Sequence, residues 1–256
     1  MERFCVLAGR NDPAGYGIVQ ALQKRGQQDG IIFHITDSDI LNKDDVENEV
    51  DADVLFFASK HASKEGRPAF SCHAAGNWGD ARFGGRPKEL CVAPALLLKK
   101  MFIALKESAK GLPYDVTLEA THHGPLVRKP SLFVEIGSNE EEWKKVENAD
   151  VVASAIIRCI SAKNTNCVKV AVGLGGPHYC SQFNKLQEGG EIAIGHICPK
   201  HSLPSLDKSM IIQAWERTIP KPDFFLLDWK GLGPEKQRIV GLLKECGFPF
   251  RRTDEF

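Results

Sequence analysis

The chain has 256 residues, 43% apolar and 26% charged, with 33 basic and 33 acidic side chains and a pI near 7.1. This is ordinary globular composition without a global basic field, so any nucleic-acid partner must be held by a local patch, and no DNA partner is expected. Eight cysteines without a CxxC pair exclude a zinc-finger pattern, and with neither an apolar leader nor a membrane-length run the chain is expected to be cytoplasmic, monomeric and free of membrane contacts.

Residues 4–8 predict a buried strand, and Asp12 before Pro13 marks a helix start with a carboxylate cap, running to about Lys24. Further strands are predicted over 31–35 and 53–59, with a loop and a short helix between them. The third strand leads into Lys60, His61 and Ser63. A Gly-rich stretch over about 61–88 holds a short strand at 69–73, and a loop of that length inside a domain is usually functional or mobile. Within it, Gly76, Asn77 and Trp78 offer an amide and an aromatic plane for a base or ribose; Trp78 serves equally well as a core anchor. Phe83 lies in the same stretch between Arg82 and Arg86. An apolar stripe through Leu90, Leu97, Met101 and Leu105 predicts a helix over 88–110.

Strands over 116–121 and 132–136 and a helix over 140–161 come next. A strand over 168–172 opens into Gly173-Leu-Gly-Gly-Pro-His-Tyr179, and an apolar run from Ile192 is interrupted by His196. Helices over 209–218 and 234–246 flank a strand over 224–228. Strands alternating with helices predict an α/β fold, one domain over 1–256 with a mostly parallel or mixed sheet flanked by helices.

Glu119, His122, His123 and Glu135 form the chemical centre of the chain. Buried carboxylates require partners, and imidazoles stand beside them in sequence. Alternation along a regular strand would put His123 on the face of Glu119, with His122 bracing it from the apolar side, unless the backbone turns at Thr121. His61, His73, His122, His123, His178 and His196 all follow or interrupt strands, and ligand crevices of open α/β sheets lie beyond strand carboxyl ends. Zinc-assisted hydrolysis and metal-free general-base hydrolysis both fit this set. A cysteine nucleophile, Cys72 beside His73 or Cys180 near His178, is disfavoured for Cys72 because adjacent strand residues face opposite sides. The Gly175–Gly176 segment lacks a phosphate-loop lysine, so its glycines are read as permitting close backbone approach.

Asn11-Asp-Pro-Ala14, Ser59-Lys-His61, Ala75-Gly-Asn-Trp78, Ala120-Thr-His-His-Gly-Pro125, Phe133-Val-Glu-Ile-Gly-Ser138, Gly173-Leu-Gly-Gly-Pro-His-Tyr179 and Gly195-His-Ile197 occur in that order. Together they resemble the archaeal and plant type of D-aminoacyl-tRNA deacylase, distinct from the bacterial type. The resemblance implies hydrolysis of the ester joining a D-amino acid to the tRNA acceptor end, a zinc cofactor, and a fold related to phosphorylases and peptidyl-tRNA hydrolases. On matching positions it implies a catalytic core of His122, His123, Glu135 and His178, with His61, His73 and His196 as metal candidates. Lys60, Gly76, Asn77, Trp78, Gly175, Gly176 and Tyr179 are the expected substrate contacts. Cys72, Pro177 and Cys180-Ser181 depart from the expected pattern. A small-molecule hydrolase, a nucleoside phosphorylase and a non-catalytic tRNA-end binder are the alternatives.

Overall fold

The uninterrupted apolar runs of the N-terminal half form strands covered on both faces, as such runs require. In the computed structural model, which describes residues 2–64, 66–162 and 168–256, β1 (Phe4–Gly9) passes into α1 (Pro13–Lys24) through Asp12, whose carboxylate accepts from the Ala14 and Gly15 amides at 3.0 Å. β2 (Ile31–Thr36) and β3 (Val54–Ala62) follow, separated by two short 3-10 turns. β4 (Ala69–His73) matches its expected span.

The predicted helix over 88–110 begins only after Pro94. Leu90 and Val92 sit in isolated bridges, β5 (Ala93–Pro94) is a two-residue strand, and α2 (Ala95–Ser108) starts there. Proline disrupts a helix interior but not its start, so the apolar stripe upstream of Pro94 reports packing and not helix. β6 (Asp115–Leu118) stops three residues short of the predicted Thr121, and β7 (Ser131–Ser138) extends beyond its prediction at both ends. The predicted helix over 140–161 is two, α3 (Glu140–Lys144) and α4 (Val146–Ser161), divided where Lys145 is extended. The remainder comprises β8 (Lys169–Leu174), α5 (Ser181–Glu188), β9 (Ile192–Cys198), α6 (Lys208–Glu216), β10 (Thr218–Ile219), β11 (Phe224–Leu227), α7 (Lys236–Glu245) and β12 (Phe250–Arg252).

Six strands pair in the order β2-β1-β3-β7-β4-β6, all parallel except the β7–β4 pair, which is antiparallel. A second sheet, β12-β11-β8-β9, is parallel throughout. On the first sheet, Val6, Ala8, Phe56, Ala58, Leu132 and Val134 pack in one apolar cluster with α1, α2 and α4. Met101, Phe102 and Leu105 of α2 continue that cluster to Ile194 and Phe224 of the second sheet. The opposite face of the first sheet carries Leu7, Leu55, Phe57 and Phe133, covered by Ile40, Val46 and Val50 from the segment between β2 and β3. Among the described residues no helix is long and apolar enough to cross a membrane.

Candidate active site

The site grows from that second face. Phe57 stacks on Phe133 with ring centroids 4.8 Å apart, and two residues further along each strand the same face presents Ser59 and Glu135. Ser59 pairs in register with Glu135, and Glu135 with Ser71 of the antiparallel β4. His73, two residues beyond Ser71 on β4, lies 5.1 Å from Phe133 in a parallel stack. Strand alternation therefore gathers Ser59, His61, His73 and Glu135 on one surface at the β7–β4 seam. The expected crevice beyond a row of carboxyl ends is replaced by a face, because β4 and β6 run against β3 and β7.

Glu119, His122 and His123 reach this surface from the irregular segment after β6. The Glu119 amide makes the last ladder bond to β4, donating to Cys72 O (3.2 Å), and the segment is then fixed from outside, Ala120 donating to His178 O (2.8 Å) and Thr121 to Ile197 O (2.9 Å). His123 adopts φ +47°, a left-handed conformation uncommon outside glycine but among the better tolerated for histidine. This turn brings the His122 and His123 rings within 4.2 Å of each other. Both histidines thus face the site, which a regular strand forbids; the strand ended at Leu118.

The two carboxylates are fully buried and organise the imidazoles. Glu119 Oε2 lies 2.8 Å from His178 Nε2 and 3.6 Å from His122 Nε2, and its Oε1 lies 3.2 Å from His61 Nδ1. Ser59 Oγ donates to Glu135 Oε1 at 2.5 Å, while Glu135 Oε2 stands 3.6 Å from His61 Nδ1 and 3.5 Å from His73 Nε2. Burial favours the neutral carboxylic acids, but the facing imidazoles outweigh it and hold both carboxyls below their ordinary range.

His61 is a cation. Tyr179 Oη donates to Ser63 Oγ (2.9 Å) and so accepts from His61 Nε2 (3.0 Å), while Nδ1 faces two carboxylates. Burial opposes the charge, yet Glu135 and Glu119 push its pKa up to about 10. His61 Nδ1 therefore stands between two carboxylates, and His61, Glu119 and Glu135 together form one of the groups that could hold a metal. His122 and His123 go the other way: burial and neighbouring imidazoles hold His122 well below the usual histidine value and His123 at about 4.

A second pattern is shared by three rings. His73 Nδ1 donates to Ala74 O (3.0 Å), His122 Nδ1 to Ala120 O (2.7 Å) and His123 Nδ1 to Gly124 O (2.8 Å). Each carbonyl holds Nδ1 as the donor and turns Nε2 inward, the arrangement of metal-binding histidines; burial keeps His122 and His123 neutral, whereas at His73 burial is outweighed by Glu135, which faces Nε2 at 3.5 Å and raises the pKa. Ligand atoms of these three rings lie within 4.8 Å of one another. Glu119–His122–His178 and His61–Glu119–Glu135 meet the same distance criterion. Three buried atoms, His73 Nε2, Glu119 Oε1 and Glu135 Oε2, have ion-pair neighbours but no well-directed hydrogen bond.

A cavity of about 610 Å³ opens over the cluster, lined by His61, His122, His123, Glu135 and His178, by Lys60 and Asp12, and by Phe83 at its rim. Several expected residues lie elsewhere. His196 is a structural residue: its Nε2 donates to Cys91 O (2.9 Å) and its Nδ1 accepts from Thr121 Oγ1 (3.2 Å), leaving no lone pair for a metal. Trp78 is the core anchor, buried with Nε1 donating to Ile197 O at 3.1 Å. Asn77 is buried too, its amide donating to Gly84 O (2.9 Å) and Arg86 O (3.3 Å), and Gly76 packs on Leu90. Gly175 and Gly176 approach the Asp228–Gly231 turn and not the cavity. Tyr179 acts through His61. Cys72 and Cys180 are buried thiols pushed well above their ordinary pKa by desolvation, which leaves them unreactive. Ser59 and Phe83 were not among the expected site residues. In-register pairing with Glu135 signals Ser59, and Phe83 stands out as an aromatic between two arginines.

A family model described as D-aminoacyl-tRNA deacylase matches residues 48–251. A D-aminoacyl-tRNA deacylase of Thermococcus kodakarensis is 35% identical over 234 residues, covering 88% of this chain and 85% of its own. One from Cenarchaeum symbiosum is 33% identical over 251 residues, covering 94% and 96%. The crystal structure of a conserved protein of unknown function superposes with a TM-score of 0.92 at 29% identity, covering 99% of this chain and 96% of that one.

Proposed function

The chain belongs to the D-aminoacyl-tRNA deacylase family, and from that premise we propose how its buried cluster hydrolyses the ester of D-aminoacyl-tRNA to free D-amino acid and tRNA. The observation that carries the mechanism is the set of three imidazoles whose Nδ1 atoms are each held by a backbone carbonyl.

His73, His122 and His123 are the residues that would hold zinc, a three-histidine donor set. Zinc bound there would supply Lewis acidity and an ionised water near neutral pH. His122 and His123 stay neutral at that pH and offer lone pairs without first losing a proton. Glu135 stands beside His73 Nε2 and, with Ser59 fixing its other oxygen, orients the attacking water.

His178 is the proton carrier. Its ring is about one-third exposed at the cavity wall, and Glu119 holds Nε2 at 2.8 Å, so the other nitrogen, Nδ1, is the atom that delivers a proton to the departing ribose oxygen. The His61 cation, braced by Tyr179 and Ser63, balances the two carboxylates and keeps the wall receptive to an anionic tetrahedral intermediate. Lys60 at the rim gives a local positive contact for the tRNA backbone, consistent with a chain of zero net charge.

Family membership disfavours the small-molecule hydrolase, the nucleoside phosphorylase and the non-catalytic tRNA-end binder. The test is release of labelled tyrosine from D-tyrosyl-tRNA and L-tyrosyl-tRNA by purified protein, with zinc supplied and after chelation. Rapid release from the D-ester alone, lost on chelation and restored by zinc, is expected. Equal rates on both esters overturn the substrate assignment, and an unchanged rate after complete metal removal overturns the zinc site.

A further inference from the structure

Phe83 is one of few large apolar side chains exposed among the described residues, at 69%, and it lines the rim of the catalytic cavity. Its position is built rather than incidental. The amide of Gly124, the residue after His123, donates to Phe83 O at 3.0 Å, and Asn77 ties down the carbonyls of Gly84 and Arg86. Gly84, at φ +75°, packs so closely on Leu41 O that any Cβ would overlap it, and Gly124 packs equally closely on Gly85. The clamped loop holds the ring in solvent at the rim of the cavity that His122, His123 and His178 line.

The guanidinium groups on either side are also open. Arg82 and Arg86 side chains are 80% and 70% exposed, and each has only a loose carboxylate neighbour at 3.8 Å. An exposed aromatic ring flanked in sequence by exposed cations is a pattern that binds single-stranded nucleotides, by stacking a base and attracting phosphates. The α-ammonium of an amino acid would be repelled by the same cations.

We propose that Phe83 is the stacking platform for the 3′-terminal adenine of the tRNA, with Arg82 and Arg86 receiving the adjacent phosphates; this rests on the deacylase reading above. The platform sets how the ester is presented to His123 and His178, and it acts on the part of the substrate shared by every aminoacyl-tRNA.

The probe is tRNA carrying 2-aminopurine in place of the terminal adenine, whose fluorescence falls on stacking. Binding to the wild-type protein should quench it, and Phe83→Ala should abolish the quench while Phe83→Trp retains it. Phe83→Ala should also raise KM for D-tyrosyl-tRNA about 5- to 150-fold, the range expected for one lost base stack, with a smaller effect on kcat. The preference for D-tyrosyl-tRNA over D-tyrosine methyl ester should fall by the same factor. Hydrolysis by the wild type with an unquenched probe overturns the platform alone. A Phe83→Ala defect of equal size on the methyl ester assigns the ring to the amino-acid side chain and overturns it too. A wild-type protein that cleaves no D-aminoacyl-tRNA overturns the deacylase reading and this inference with it.

Discussion

Glu119→Gln keeps the volume of a buried side chain and removes its charge. In the native protein Oε2 accepts from His178 Nε2 at 2.8 Å, and Oε1 lies 3.2 Å from His61 Nδ1. Deleting one member of a buried ion pair costs roughly 3–5 kcal/mol when the survivor has no other partner. His61 retains Glu135 at 3.6 Å, so its charge stays compensated. The loss then reduces to the charge-assisted bond of His178, about 1.5–3 kcal/mol. It should appear as a lower urea midpoint at unchanged slope. The kinetic effect should be larger, because a proton carrier whose ring is no longer fixed loses about 10²–10⁴-fold in rate. Single-turnover release of D-tyrosine from D-tyrosyl-tRNA, with saturating enzyme, isolates that step. The double variant Glu119→Gln/His178→Ala should be no slower than His178→Ala alone, since the pair acts as a unit. A wild-type rate in Glu119→Gln, or losses that multiply in the double variant, would refute the assignment.

Asparagine at His73, His122 or His123 should each drop bound zinc below one equivalent, as counted by elemental analysis of dialysed protein, whereas His196→Asn should leave the zinc content intact. Ser59→Ala leaves Glu135 Oε1 without its 2.5 Å donor and should destabilise the fold by about 1.5–3 kcal/mol in urea unfolding; a change under about 0.5 kcal/mol would contradict it. Acid sensitivity should trace partly to His196, which burial holds at a pKa of about 4 against 6.5 ordinarily. Between those values the unfolded chain takes up a proton that the folded chain refuses. Stability from this residue is complete above pH 6.5 and falls as the pH drops to 4, by about 3 kcal/mol. Urea midpoints of wild type and His196→Gln across that window should converge as pH falls; a constant difference would sink the account.

Chemistry was more legible in the sequence than geometry. The Asp12–Pro13 start of α1, the apolar strands of the first sheet and the gathering of His61, His73, His122, His123 and His178 around Glu119 and Glu135 all follow from local pattern. The helix over 88–110 misled because apolar periodicity does not register Pro94, which sets where α2 begins. His122 and His123 were assigned opposite faces by alternation, whereas the Ala120 and Thr121 amides leave β4 to donate to the carbonyls of His178 and Ile197, and a left-handed His123 turns both rings inward. Those partners lie far away in sequence, and no local rule contains them. His196 shares the strand context of the others, and only its two hydrogen bonds reveal a structural role. Asn77 and Trp78 drew attention as the polar and aromatic pair of a glycine-rich loop, yet they hold that loop from beneath while Phe83 occupies its open side.

The backbone bonds that tie the segment after Leu118 to His178 and Ile197 also make the site depend on both ends of the chain. A chain that has emerged only as far as Ser161 already carries His73, His122, His123, Glu119 and Glu135, and therefore every proposed metal donor. It lacks the Tyr179 hydroxyl that steadies His61, the His178 ring and the two carbonyls that pin Ala120 and Thr121. The proton carrier and the carbonyls that set the segment after Leu118 thus come from the last third of the chain, so the site is complete only when that third is folded against the first sheet.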